Sequence, residues 1–152
     1  MKLDCTFDSR TYVLLNIQEE YLKPIKDGVK EYEFRKEFVS SPAIAFLYVD
    51  FPKPTIRLVA EFGTPIIASP ATVSKIAEQY RRGAGREMEE YLAGYERAFA
   101  IPIESVLQID PIEIDLLLLY YPTFKLPERY LVLNDMPGLL QFLLHLANQS
   151  LK

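Results

Sequence analysis

The chain has 152 residues, 49% of them hydrophobic, which gives one domain's length with apolar surface enough for a core and excludes global disorder. A net charge of −4 excludes a broad basic face that coats nucleic acid, but residues 98–152, with three basic side chains against six acids, carry most of the excess and leave the rest near neutral. The single cysteine, Cys5, excludes an internal disulfide and fits a reducing compartment; residues 1–10 hold no apolar leader and the greasiest run, 116–121, is too short for a bilayer, so a soluble cytoplasmic protein is expected.

Residues 11–17 form a short apolar run rich in strand formers. A short helix comes next, with Tyr21, Leu22 and Ile25 on one side, Pro24 placed in its first turn and Gly28 ending it. Residues 30–36 alternate with a strand's period, Tyr32 and Phe34 pointing one way and Glu31, Glu33 and Arg35 the other. Residues 43–49 read as a buried strand, then comes a Pro-rich turn, and residues 55–62 read as another strand. Ser69 and Pro70 open a helix carrying Val73, Ile76, Ala77 and Tyr80. Gly83 and Gly85 interrupt, and Met88, Tyr91 and Leu92 continue as a second helix ending near Gly94. Residues 97–109 are strand-like, 112–119 are read as a further strand and 130–133 as a short one. Asp135 and Pro137 open a last helix striped by Met136, Leu139, Leu140, Leu143 and Leu144. Strands, paired helices and then strands, with no regular β-α alternation, favour a partly closed barrel with inserted helices over a doubly wound sheet.

The run Tyr21-x3-Ile25-x2-Gly28-x-Lys30-x2-Glu33-x-Arg35 resembles the signature turn of ASCH domains, a branch of the PUA-like barrels. Leu47-Tyr48-x3-Pro52, the strand at 56–62, Ser69-Pro70 and the run 98–103 resemble the later strands and helices of that family. The resemblance spans roughly residues 11–112. It implies an α+β fold: a small barrel domain over residues 1–112, with residues 113–152 as a C-terminal helical extension packed on it. It also implies a cleft beside the Gly-x-Lys turn and a role in binding RNA or a nucleotide-like ligand.

Lys30, Glu33 and Arg35 are the leading cleft candidates. Glu33 and Arg35 lie two apart on a strand and share a face, over which Lys30 can lean from the turn. Arg35 can grip phosphate or stack on a base, Lys30 supplies a point charge, and Glu33 accepts from a base's amino group. The same spacing fits an exposed strand face laced by ion pairs, and the resemblance favours the cleft. Removing Lys30 or Arg35 is then expected to abolish binding and leave stability nearly unchanged. Tyr48 is a candidate for stacking on a base and Asp50 for meeting a base edge or an amine, although core packing and a turn role fit them equally. Arg81 and Arg82, with Arg86 beside the Gly83–Gly85 turn, are the second-choice contact region for an RNA backbone, although with Glu78, Glu87, Glu89 and Glu90 close by they fit an ordinary mixed-charge helix end better.

Some relatives in the family deacylate a modified cytidine with a Lys after the Gly turn, a Thr three residues later and a Glu from the helical region. Lys30 matches, Glu33 stands at the Thr position, and the region near Tyr80 offers no clear match for the Glu. A small amidohydrolase therefore stands as an alternative, with Lys30 and Glu33 as its acid–base pair. A ribonuclease lacks a histidine pair, since His145 is the only histidine. No cofactor or metal is expected, Cys5 and His145 being isolated. The broad apolar face of the last helix, with Phe142 and Leu146 beside its stripe, packs on the barrel or supports a homodimer or protein-interaction module.

Overall fold

The computed structural model describes residue 3 and residues 10–150. Cys5 and the rest of the reading on residues 1–9, like Lys152, lie outside the described residues, Leu3 excepted. The elements are β1 (Thr11–Asn16), α1 (Glu19–Lys26), β2 (Tyr32–Arg35), β3 (Ala43–Val49), β4 (Thr55–Phe62) and β5 (Ile66–Ala68), then α2 (Pro70–Glu78), α3 (Ala84–Tyr91) and β6 (Ala98–Glu113). The chain then forms α4 (Ile114–Tyr120), β7 (Tyr130–Val132), a 3-10 turn (Leu133–Asp135) and α5 (Pro137–Gln149).

The strands make one curled sheet in the order β2-β6-β4-β3-β1-β7, with β5 pairing to β6 on the edge opposite β2. β1 runs parallel to β3, and the other pairs are antiparallel. The α+β architecture with inserted and C-terminal helices is the expected one. β6 pairs with β2 and β5 along its first residues and with β4 along the rest, so one long strand carries the curl.

Two apolar cores explain why β1 and β3 read as unbroken hydrophobic runs: these strands are buried on both faces. Tyr12 and Leu14 point into one core with Phe46, the α4 residues Ile114 and Leu117, and the leucine stripe of α5. Val13 and Leu15 point into the other with Leu47, Leu58, Phe62 and Ile101, closed at one end by Ile25 of α1. A third, smaller cluster seats α2 and α3 on β6 and β2 through Val73, Leu92, Ala98 and Ala100, with Tyr32 and Phe34 packed against it.

Four local expectations are corrected. Residues 114–120 are helical rather than strand: four consecutive leucines fit either state by pattern, leucine is a strong helix former, and the Ile114 amide donates to Pro54 O at 3.0 Å just as the helix begins. Pro24 sits in the second turn of α1, where its ring removes one helical hydrogen bond and the helix ends within three residues. Gly85 lies inside the first turn of α3 instead of in the connecting loop. Leu133 belongs to the 3-10 turn after β7.

Gly28 and Gly85 are needed for different reasons. Gly28 has φ +76 and open space around it, so a Cβ there meets only the backbone penalty of the left-handed region. A Cβ on Gly85 would stand 2.8 Å from Ser74 O and 3.1 Å from Glu78 Oε1, so glycine sets how closely α3 approaches α2. Urea denaturation is expected to show a cost of about 1–2 kcal/mol for Gly28→Ala, and about 1–3 kcal/mol for Gly85→Ala through overpacking. A neutral Gly85→Ala would refute the close-approach argument.

Candidate functional site

Lys30 is placed by the way α1 stops. The Gly28 amide donates to Ile25 O at 3.2 Å and the Val29 amide to Pro24 O at 2.9 Å, the paired hydrogen bonds of a glycine-terminated helix. The Lys30 amide donates to the same Pro24 carbonyl at 3.0 Å. The chain therefore leaves α1 along one fixed path, and the Lys30 side chain turns inward until only 5% of the residue is exposed.

Its ammonium donates to Tyr32 O at 2.6 Å and lies 4.0 Å from Glu33 Oε1. Three rings surround it: Phe34 at 4.9 Å, Tyr21 at 5.0 Å and Tyr80 at 5.5 Å from Nζ to ring centroid. An ammonium can donate three hydrogen bonds. Tyr32 O takes one of them.

Glu33 is the centre of the charged group. Its Oε1 accepts from the Phe34 amide at 3.2 Å, and its Oε2 accepts from Arg35 Nη2 at 2.9 Å and Nε at 3.2 Å. Arg35 Nη2 also donates to Asn16 O at the end of β1, which ties the edge strand β2 across to β1. Attraction at 4 Å amounts to about 4 kcal/mol at an effective dielectric constant of ~20, and desolvating an ion costs several kcal/mol. For Lys30 burial wins: it pulls the ammonium pKa below its ordinary value, Glu33 opposing the shift and Arg35 adding to it.

These side chains form the floor of a cleft of about 340 Å³ between the end of β1, the turn before β2, and the α2–α3 pair. That volume sits at the low end for a small-molecule site, ~300–1,000 Å³. Asn16, Gln18, Met88 and Tyr91 line it further, and Arg81 and Glu87 pair at its helical side. Three cations and two carboxylates line the cleft, a positive balance in a protein of net charge −4. Glu78 holds the helical side in place, accepting from the Gly83 amide at 3.0 Å and the Gly85 amide at 2.9 Å; these two bonds keep its carboxyl below the ordinary pKa.

The structure brings together Lys30, Glu33, Arg35 and Arg81. The other candidates stand apart from the cleft lining. Tyr48 is buried in the core under α5, its hydroxyl donating to Pro127 O at 3.3 Å, and burial raises its pKa. Asp50 is exposed and accepts from Asn16 Nδ2 at 2.9 Å, one residue removed from the cleft. Arg82 is exposed beside the α2–α3 turn. Tyr21, Tyr80, Glu87 and Asn16 belong to the site without having been singled out for it. The first two carry a sequence signal, Tyr21 as the aromatic that opens the apolar side of α1 and Tyr80 as the one that follows the apolar stripe of α2, whereas Glu87 and Asn16 carry none. Among the described residues no group of three or more His, Cys, Asp or Glu is placed to hold a metal ion, and no helix is long and apolar enough to cross a membrane.

No family model matches the chain, and no curated protein matches it. Among solved structures, the crystal structure of ASCH from Zymomonas mobilis has a TM-score of 0.72 at 19% identity, covering 87% of this chain and 93% of that one. Two mutant forms of that protein match with TM-scores of 0.74 and 0.75 at 20% and 21% identity, covering 91% and 90% of this chain and 99% of theirs. The chain therefore has the ASCH fold. What the cleft holds depends on its own residues.

The burial of Lys30 revises the expectation that it can be removed without structural cost. Lys30→Ala deletes a buried stem from between three rings and is expected to cost about 2–5 kcal/mol. Lys30→Met keeps the volume and isolates the charge. Below the lowered pKa, Lys30 is protonated in folded and unfolded chains alike, and the burial cost is fully present. As pH rises from there toward the ordinary 10.5, the folded state releases the proton first and the wild type gains stability. Urea melts at pH 7 and pH 10 should therefore shift the wild type upward relative to Lys30→Met. A pH-independent difference would show that burial does not depress this lysine.

Proposed function

We propose that the cleft binds RNA or a nucleotide-like ligand without changing it. The observation that carries this reading is the group of buried Lys30 and Glu33 with half-buried Arg35, on the floor of a cleft that is small enough for a nucleoside and walled by aromatic rings. Glu33 is fixed in place by hydrogen bonds from the Phe34 amide and Arg35, and so offers a positioned acceptor to a base's amino group. Lys30 offers donors to a base carbonyl. Tyr91 supplies an apolar face for a ring, and the more exposed Arg81 suits a phosphate. A role as a protein-interaction module through the last helix is less well supported, because Leu139, Leu140, Leu143 and Leu144 are buried within the chain itself.

Amide NMR titration with nucleosides, nucleotides and short single-stranded RNAs tests the proposal. Shifts should concentrate in residues 16–18, 30–35 and 80–91. Arg81→Ala, at an exposed site, should leave stability within about 0.5 kcal/mol. It should weaken phosphate-bearing ligands about threefold to tenfold while sparing the matching nucleosides, and it should flatten the salt dependence. No shifts at millimolar ligand and low salt would remove the reading.

One observation favours a second reading. A lysine with a lowered pKa, beside a carboxylate in a cleft, can serve as a general base, and Glu87 lines the same cleft from the helical side. The substrate would be a nucleoside with an N-acylated base: water adds to the acyl carbonyl as neutral Lys30 takes its proton, and the adduct then breaks its C–N bond, the base's amino nitrogen taking that proton from Lys30 as the acyl group leaves as a carboxylic acid. Mass spectrometry after incubation with N-acylated and unmodified nucleosides separates the two readings. A free carboxylic acid, formed faster as pH rises and lost in Lys30→Met, identifies a hydrolase; unchanged ligand leaves a binder.

A further inference from the structure

A second recess of about 160 Å³ lies beside the main cleft, lined by Val29, Glu31, Tyr32, Ile76 and Gln79 together with Phe34 and Tyr80. Phe34 and Tyr80 line both spaces, so this aromatic pair is the partition between them. The recess is well under the ~300 Å³ at which small-molecule sites begin. Its size suits a branch of the neighbouring cleft, large enough for one ring, rather than a site of its own.

The two spaces differ in charge. Lys30, Arg35 and Arg81 line the cleft, whereas the recess is lined by no cation and one carboxylate, Glu31. A phosphate is therefore disfavoured in the recess, and a flat group that donates hydrogen bonds is favoured: Glu31 accepts, the Gln79 amide does both, and Tyr32, Phe34, Ile76 and Val29 supply apolar surface. Val29 is 63% exposed, a large apolar side chain left open to solvent at this point. Arg81 comes directly after Tyr80 and faces the cleft, so a phosphodiester crossing the partition at Tyr80 meets a cation there.

Resting on the reading of the cleft as a nucleotide site, we propose that the recess is its second base subsite, so that the preferred ligand is a dinucleotide unit with an amino-bearing base, adenine or cytosine, on the recess side. The main cleft holds one nucleoside, the linking phosphate passes Tyr80 beside Arg81, and the second base enters between Ile76 and Tyr32 under Glu31. A free mononucleotide fills half of the site.

Isothermal titration of the full chain with AMP, ApA and UpU tests this. ApA should bind at least about fivefold more tightly than AMP, the low end for one added stacked base, and more tightly than UpU, whose bases carry no amino group. Gln79→Trp fills the recess from an exposed position. It should erase the advantage of ApA and leave AMP affinity unchanged. Glu31→Leu, also at an exposed site, should erase the preference for ApA over UpU. AMP and ApA binding equally, or an ApA advantage that survives Gln79→Trp, overturns the proposal while leaving the cleft reading intact. Absence of binding by all three ligands overturns both.

Discussion

A carboxylate cannot be buried without partners, and the site is organised around the way Glu33 meets that constraint. It sits on a short edge strand at 9% exposure, with the Arg35 guanidinium on one oxygen, a backbone amide on the other and the Lys30 ammonium 4.0 Å away. Each partner is in turn fixed elsewhere. Arg35 reaches the carbonyl of Asn16 on β1, and Lys30 reaches the carbonyl of Tyr32 and the rings of three different segments. The charged group thus joins β2 to the strand end, the helix end and the α2–α3 turn that frame the cleft. Buried ion pairs seldom add net stability over apolar packing. Their effect here is to hold donors and acceptors at set positions, the preorganisation that recognition of a polar ligand needs.

Rigidity around the site comes from the sheet. β1 and β3 are buried on both faces, so the end of β1 that carries Asn16 and Ile17 is anchored in two cores at once. Helix α5 supplies the cover for one of those faces, and β7 pairs with β1 at the sheet edge. Residues from beyond position 113 therefore contribute a strand and a core face to the same sheet that presents the cleft. The opposite wall, α2 and α3, is attached through a smaller cluster and a close helix contact at Gly85.

Charge is distributed to match. The chain as a whole is acidic, whereas the cleft is lined by more cations than carboxylates. A net charge of −4 gives such a protein little long-range attraction to a polyanion. On the proposed reading a ligand is selected by contacts within the cleft, where a few donors act in a less polar medium than water.

Periodicity alone located the strands at 11–16, 43–49 and 55–62 and the capped helix at Ser69, because those signals are local: alternation or continuous apolarity for strands, a hydroxyl before a first-turn proline for the helix. The alternation in residues 30–36 also placed Glu33 and Arg35 on one face, and the helix-ending Gly28 put Lys30 at the turn beside them. Local pattern could not decide the state of residues 114–120, where four leucines fit a helix and a strand equally and the end of β6 against Pro54 settles the matter. Nor could it choose between stacking on a ligand and core packing for Tyr48, which turns into the core under α5, or foresee that Tyr21, Tyr80 and Glu87 converge on Lys30 and its neighbours from segments up to 66 residues apart. The sequence by itself determined which side chains carry the charge and which faces of their elements they occupy. Burial, the shift it imposes on Lys30 and the enclosure of the cleft were decided only when the sheet curled and α2 and α3 packed across its edge, since desolvation depends on everything that surrounds a group and not on the residues beside it in the chain.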